Sequence, residues 1–224
     1  MSTLSYVIAG TVLILLLIFI IVRYAVKSGK QRTADLQQLA VQQGFVFVEK
    51  GDKSTIKELS PMHLFSQGHS KKIKNALHKK MGGAEISVFD YRYTTGGGKY
   101  QNTASQTVMC FKSDELNLPG FYLRPEHVFH KIGGAFGYKD INFESFPEFS
   151  KRYFLRGKDE EQVSAVFSGS VISFFENNEN LSCEGTGNYM ILYKARKKVN
   201  PEELPDFIGK GRELFRLFRK QMVY

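Results

Sequence analysis

The stretch KKIKNALHKKMGGAEISVFDYRYTT, residues 71–95, decides how most of this chain reads. Apolar and polar residues alternate on both sides of Gly82-Gly83, and a glycine pair between two alternating segments signals a hairpin. On the first arm, Lys71 to Met81, Ile73, Asn75 and Leu77 fall on one face. Lys72, Lys74, Ala76, His78 and Lys80 fall on the other, a row read as the lysine guard of an exposed sheet edge. On the returning arm, Ala84 to Thr95, Phe89, Tyr91 and Tyr93 share a face, with Ile86 and Val88 opposite. Cross-strand packing is the simpler reading of that aromatic row than a platform for bases or sugars.

Downstream, Gly96-Gly97-Gly98 is a second turn. A glycine triplet cradles phosphate when a helix follows it, and here the strand-like run Tyr100 to Phe111 follows. Leu118-Pro119-Gly120 breaks the pattern, and Phe121 to Arg124 adds a short strand, so residues 82–124 read as an antiparallel meander. Ile132 to Tyr138, IGGAFGY, is a loop that lacks the spacing and strand–helix frame of a dinucleotide site. Phe143, Phe146 and Phe149 anchor an irregular segment to the core. Tyr153 to Arg156 is a strand. A helix from Asp159 to Glu176 follows, with acids in its first turn and Val163, Val166, Phe167, Val171, Phe174 and Phe175 on its apolar face. Leu181 to Glu184 and Asn188 to Ala195 form a hairpin around Gly185-Thr186-Gly187. A last helix starts at Asn200-Pro201 with Glu202 and Glu203 and ends near Met222. Its apolar side, Phe207, Ile208, Leu214, Phe215, Phe218 and Met222, is read as packing on the domain rather than lying on a membrane.

Upstream, Phe45 to Val48 reads as a short buried strand, and Thr55 with Glu58 as the capping box of a short helix before Pro61. Residues 31–43 read as a helix with Leu36, Leu39, Ala40 and Gln43 on one side and Gly44 as its stop. At the very start, residues 4–22, LSYVIAGTVLILLLIFIIV, carry no charge. These nineteen residues make about 28 Å of helix, close to one hydrocarbon core, and read as a single transmembrane helix. The run is too long for a signal-peptide core, and Arg23-Tyr24-Ala25-Val26-Lys27 follows it in place of a small-residue cleavage site. Residues 1–3 are then a short extracytoplasmic end, 23–44 a basic juxtamembrane stalk helix and 45–224 an α+β domain with an antiparallel sheet. Possible sub-lobes of that domain are 45–150 and 151–224. No Lys or Arg precedes the span, whereas Arg23, Lys27, Lys30 and Arg32 follow it, so the positive-inside rule puts the N-terminus outside and the domain in the cytoplasm. Cys110 and Cys183 are the only cysteines, too few for a disulfide framework and in keeping with a reduced compartment.

Charge is unevenly placed. Residues 23–81 hold 12 Lys/Arg against 4 Asp/Glu, residues 82–193 hold 10 against 14, and residues 194–224 hold 9 against 4, for a net +9. Two basic segments flank an acidic middle, and the first adjoins the span. Anionic lipid attracts a nearby cation by about 1 kcal/mol. The lipid-facing candidates are therefore Arg23, Lys27, Lys30 and Arg32 in the stalk and Arg212, Arg216 and Arg219 in the last helix; solvated surface is the equal alternative.

Groups suited to catalysis are few. The five histidines are His63, His69, His78, His127 and His130. His127 and His130, three apart behind Glu126, with Asp140 further on, are the weak catalytic candidates. No metal site and no cofactor is expected: GxSxG, HExxH and Walker loops are all absent, and neither cysteine has a base nearby in sequence.

The Gly44-Phe45 pair, FDYRY (Phe89 to Tyr93), QTV (Gln106 to Val108), LPGFYLRPE (Leu118 to Glu126) and PEFSKRYFLRGKDEEQV (Pro147 to Val163), together with the N-terminal span and C-terminal hairpin, resemble a family of uncharacterised single-span bacterial membrane proteins. The second half is also distantly similar to the unknown-function domains encoded beside LemA-type membrane proteins. The resemblance implies a bacterial inner-membrane setting and carries no activity. Two function classes stand. The favoured one is a non-enzymatic, membrane-tethered cytoplasmic scaffold that binds a membrane-protein partner or anionic lipid headgroups. The alternative is a membrane-bound hydrolase or lipid-modifying enzyme. Nucleic-acid binding ranks below both, because basic patches beside a bilayer have a simpler explanation.

Overall fold

The computed structural model describes residues 3–129 and 140–221. His130, the 132–138 loop and Met222 lie outside the described residues. Helix α1 (Thr3–Gln43) runs unbroken for 41 residues, about 60 Å, so apolar segment and stalk form one rod. Every residue from Val12 to Val22 is 50–65% exposed, and the helix is long and apolar enough to cross a membrane. Its other end is stopped by Gly44 at φ +67°. The Phe45 N–H donates to the Ala40 carbonyl and the Gly44 N–H to the Val41 carbonyl, a Schellman closure that needs the left-handed conformation glycine supplies.

The rest is α+β. Eight strands make one antiparallel sheet: β1 (Val46–Lys50), β2 (His69–Met81), β3 (Ala84–Thr95), β4 (Asn102–Ser113), β5 (Leu118–Pro125), β6 (Tyr153–Gly157), β7 (Ser182–Gly187) and β8 (Tyr189–Tyr193). Their order is β1-β2-β3-β4-β8-β7-β5-β6. The expected meander therefore holds from β2 to β4 and stops there. The C-terminal hairpin β7–β8 inserts between β4 and β5, so strands from 45–150 and from 151–224 share one sheet. The lysine-guard reading is also corrected: β2 is an inner strand, covered by β1, and β1 is the edge, with Val46 and Val48 exposed rather than buried. Alternation along β2 breaks at Asn75, whose φ is +51°, where the register shifts between Lys74 and Leu77. One extra residue there moves Leu77 to the face opposite Ile73, the usual effect of a bulge.

Both faces of the sheet are covered. On one lie the end of α1 (Leu36, Leu39, Ala40), α5 (Pro147–Arg152), α6 (Glu160–Val166), α7 (Gly169–Asn177) and α8 (Leu204–Gln221). On the other lie Leu59, Met62, Leu64 and Phe65, from the segment holding α2 (Lys53–Glu58) and α3 (His63–Ser66), against Phe89, Tyr91, Tyr93, Val108 and Ile191. The aromatic row thus packs as expected, Phe65 lying 4.3 Å from Tyr91 and Tyr91 5.6 Å from Tyr93 between ring centres. Local caps differ from expectation. Asp52, not Thr55, caps α2 by accepting the Ser54 N–H. The expected 159–176 helix breaks at Phe167 and Ser168, and α7 restarts from Ser168 so that Phe167 can turn inward. In α8, Phe207, Ile208, Leu214, Phe215 and Phe218 are buried, which places the helix on the domain.

Candidate functional site: a stalk–sheet lock and a buried carboxylate

Leu36, Leu39 and Ala40 turn one stripe of α1 onto the sheet. Arg32, one turn before Leu36, lies on the same stripe and is carried over the middle of β3. There it meets Asp90, an acid on the side of β3 that also carries Ile86 and Val88. The fork is bidentate: Arg32 Nε donates to Asp90 Oδ2 at 2.8 Å and Nη2 to Oδ1 at 2.7 Å. Nη1 donates to the Val199 carbonyl at 2.8 Å, which ties in the chain entering α8. Asn75 Nδ2 and Thr107 Oγ1 each donate to the same carboxylate at 3.1 Å, Lys198 Nζ stands 3.8 Å away, and Thr33 Oγ1 donates to Asn75. Burial alone would raise the Asp90 carboxyl; Arg32 above all, then Lys198 and Asn75, outweigh that and hold it below its ordinary value. Arg32 is thus not a lipid-facing cation. It is 14% exposed and bonds the stalk to the sheet.

On the other face, Glu184 of β7 is fully buried. It accepts the Tyr193 hydroxyl at 2.8 Å and the Leu64 N–H at 3.1 and 3.2 Å. Burial pushes its carboxyl up to about 7, against the pull of Tyr193, the Leu64 N–H and the Arg124 charge. Such a shift marks many active sites. Here the adjoining cavity, lined by Gln106, Arg124, Ser182 and Tyr193, holds about 20 Å³, the room of one water, and admits no substrate. Glu184 pins the 59–66 segment to the sheet.

Of the sequence-derived catalytic candidates, His130 lies outside the described residues, and His127 and Asp140 do not line one groove. His127 is exposed on the short α4 (Glu126–Phe129), in a groove of about 270 Å³ with Lys151, Arg152, Glu179 and Asn180. Asp140 instead accepts the Leu155 N–H at 2.9 Å. Its carboxyl is raised by burial and then by Glu126, so it senses that neighbour but does not line the groove. Among the described residues, no group of three His, Cys, Asp or Glu side chains could hold a metal ion. Both thiols are buried, and burial pushes Cys110 up to about 12, far from a nucleophile's range.

Arg23, Lys27 and Lys30 lie on the exposed part of α1. Arg212 and Arg216 are exposed on α8, and Arg219 pairs with Glu115 at 3.0 Å. Glu115 sits in the turn past the end of β4, which runs roughly 20 Å from Thr107 to Ser113 and so away from the apolar half of α1. Arg219 is thereby held at the end of the sheet away from the apolar half of α1.

Together these features define a long apolar helix locked to a two-faced α+β sheet domain. No family model matches the chain, and no curated protein matches it. Among solved structures, the crystal structure of the mycobacterial trehalose monomycolate transport factor A, TtfA, is similar, with a TM-score of 0.61 and 10% identity over 84% of this chain and 94% of that one. At that identity the likeness shows the fold.

Proposed function

We propose that this chain is a non-catalytic interaction domain, held at the cytoplasmic face of a bacterial inner membrane by one span with its N-terminus outside, that serves a membrane protein engaged in transport. The observation that carries this reading is the Arg32–Asp90 lock. A flexible tether would let the domain wander; a helix bonded to the sheet ten residues past Val22 holds it about 15 Å beyond the apolar run. A fixed height and orientation suit docking to a neighbour in the same bilayer. The positive flank after the span supports the side, and the fold likeness to a transport factor supports the class of role. An enzyme reading has little support, because Asp140 accepts the Leu155 N–H and does not line the groove that holds His127, and the perturbed Glu184 faces no substrate-sized space.

The test is in-membrane crosslinking of the full chain, followed by purification. One membrane protein is expected to be captured reproducibly, and to be lost on Arg32→Glu although the variant stays in the membrane fraction. Absence of any such partner, with hydrolytic turnover that disappears on His127→Ala, would refute the proposal in favour of an enzyme.

A further inference from the structure

The lock also sets which end of the sheet meets the bilayer. Arg32 lies over Asp90; eleven residues on, the Gln43 carbonyl accepts from Lys79, which faces Ile86 across the β2–β3 pair. Eleven helical residues rise about 16 Å and four strand residues about 13 Å, so α1 and β3 run side by side in opposite chain directions. From Asp90 to Thr95, β3 therefore continues about 17 Å back along α1, toward the apolar half. The same 17 Å on the helix leads from Arg32 to about Ile21. The β3–β4 turn, Gly96 to Gln101, thus stands level with the end of the apolar run.

That turn is built for a lipid surface. Tyr100 is 88% exposed, more than any other large hydrophobic residue among the described residues, and Lys99 beside it is exposed too. A tyrosine with a neighbouring cation suits the headgroup layer. Lys72 and Arg92 are exposed and directly opposite each other on β2 and β3. Like charges so placed repel, and neither has an ion-pair partner among the described residues, so an anion between them relieves the repulsion. The segment leaving β8, Lys194 to Lys198, adds four cations in five residues and folds back on Gln106 and Thr107, level with Asp90, so it stands behind this end of the sheet and adds to its positive field. The nearby acids are Asp35 on α1, which accepts from Gln31, Glu202 and Glu203 at the approach to α8, and Asp90, which Arg32 neutralises, so the balance stays positive.

We propose that the sheet end carrying the β3–β4 turn is a lipid-facing surface, on which Lys99 and Tyr100 reach the headgroup layer and Lys72 and Arg92 bind anionic phospholipid headgroups. This rests on the membrane-tethered reading above and replaces the α8 arginines as its contact.

The chain contains no tryptophan, so Tyr100→Trp is a unique reporter. The full-length variant is placed in bilayers carrying a headgroup-attached quencher. Strong quenching is expected with phosphatidylglycerol present and weak quenching in phosphatidylcholine alone. It is expected to vanish near 1 M salt, where the screening length is about 3 Å. Asp114→Trp, at the far end of β4, is expected to stay unquenched in both. Adding Lys72→Glu and Arg92→Glu to the reporter is expected to remove about half or more of the anionic-lipid-dependent quenching. Equal quenching at positions 100 and 114, or no dependence on lipid charge, overturns the proposal. So does quenching that needs native membranes, which assigns this end to a protein. Release of the whole chain by alkaline extraction sinks the tethered reading itself; retention with an unquenched position 100 sinks only the lipid surface.

Discussion

The two halves of α1 are one helix written for two solvents. From Val12 to Val22 it is apolar all round and touches nothing in the domain. From Arg32 to Gln43 it is amphipathic, with Leu36 and Ala40 almost fully buried and Val41 on the other side 78% exposed. A helix apolar on every face needs lipid, whereas a striped one needs a partner surface. The contrast teaches that the domain does not hang from its anchor. It begins inside the anchor's own helix, and a single buried ion pair sets where the handover occurs.

Breaking that pair is the most severe way to disturb the contrast. Arg32→Ala leaves a buried Asp90 carboxylate without its fork and is expected to cost about 3–5 kcal/mol in denaturant unfolding of the detergent-solubilised chain. Joint replacement, Arg32→Met with Asp90→Leu, is expected to recover most of that. Because Asp90 sits below its ordinary value when folded, the lock's contribution is complete above about pH 4 and is lost as the pH falls further. Next in size, Leu36→Ala is expected to cost about 2–5 kcal/mol, whereas Leu16→Ala in the exposed half leaves the same unfolding curve within about 0.5 kcal/mol.

Glu184 sharpens the comparison from the other face of the sheet. Its folded value, about 7, lies above the ordinary 4.5, so the folded state holds the proton more tightly. The contribution of Glu184 is greatest below pH 4.5 and declines as the pH rises through 7, by roughly 3 kcal/mol at most. Glu184→Gln keeps acceptors for Tyr193 and Leu64 and removes the charge. Melting curves at pH 5 and 8 are expected to show a stabilisation by the variant at pH 8 that is much smaller at pH 5. A smaller loss belongs to the helix stop: Gly44→Ala forces a side chain to φ +67° and is expected to cost about 1–2 kcal/mol, read as a lowered Tm.

Much of this was legible in the residues. The apolar run, the Gly44 stop, the Gly82-Gly83 hairpin and the buried aromatic row of β3 follow from local period and turn chemistry. Arg32 was legible in part: it stands four, seven and eight residues before Leu36, Leu39 and Ala40, on their stripe, a position where a cation must find an acid. Asp90 inside FDYRY was the matching signal, but nothing local joins two residues 58 apart. Strand order was hidden for the same reason, since β8 pairs with β4 across three intervening strands and four helices. The β2 bulge was hidden because a strict two-residue alternation cannot show the extra residue at Asn75. For the catalytic candidates, spacing put His127 near Asp140 in sequence, while the Leu155 N–H took the carboxylate that the chemistry needed.

The most direct test of the locked anchor is amide hydrogen exchange along residues 31–43 of the full chain in bilayers. A stalk bonded to the sheet predicts protection there equal to that of β3 and β4, falling by orders of magnitude on Arg32→Ala while the sheet stays protected. Fast exchange in 31–43 of the wild-type chain, with a protected sheet, would mean that the stalk and the domain open independently, and would contradict the account.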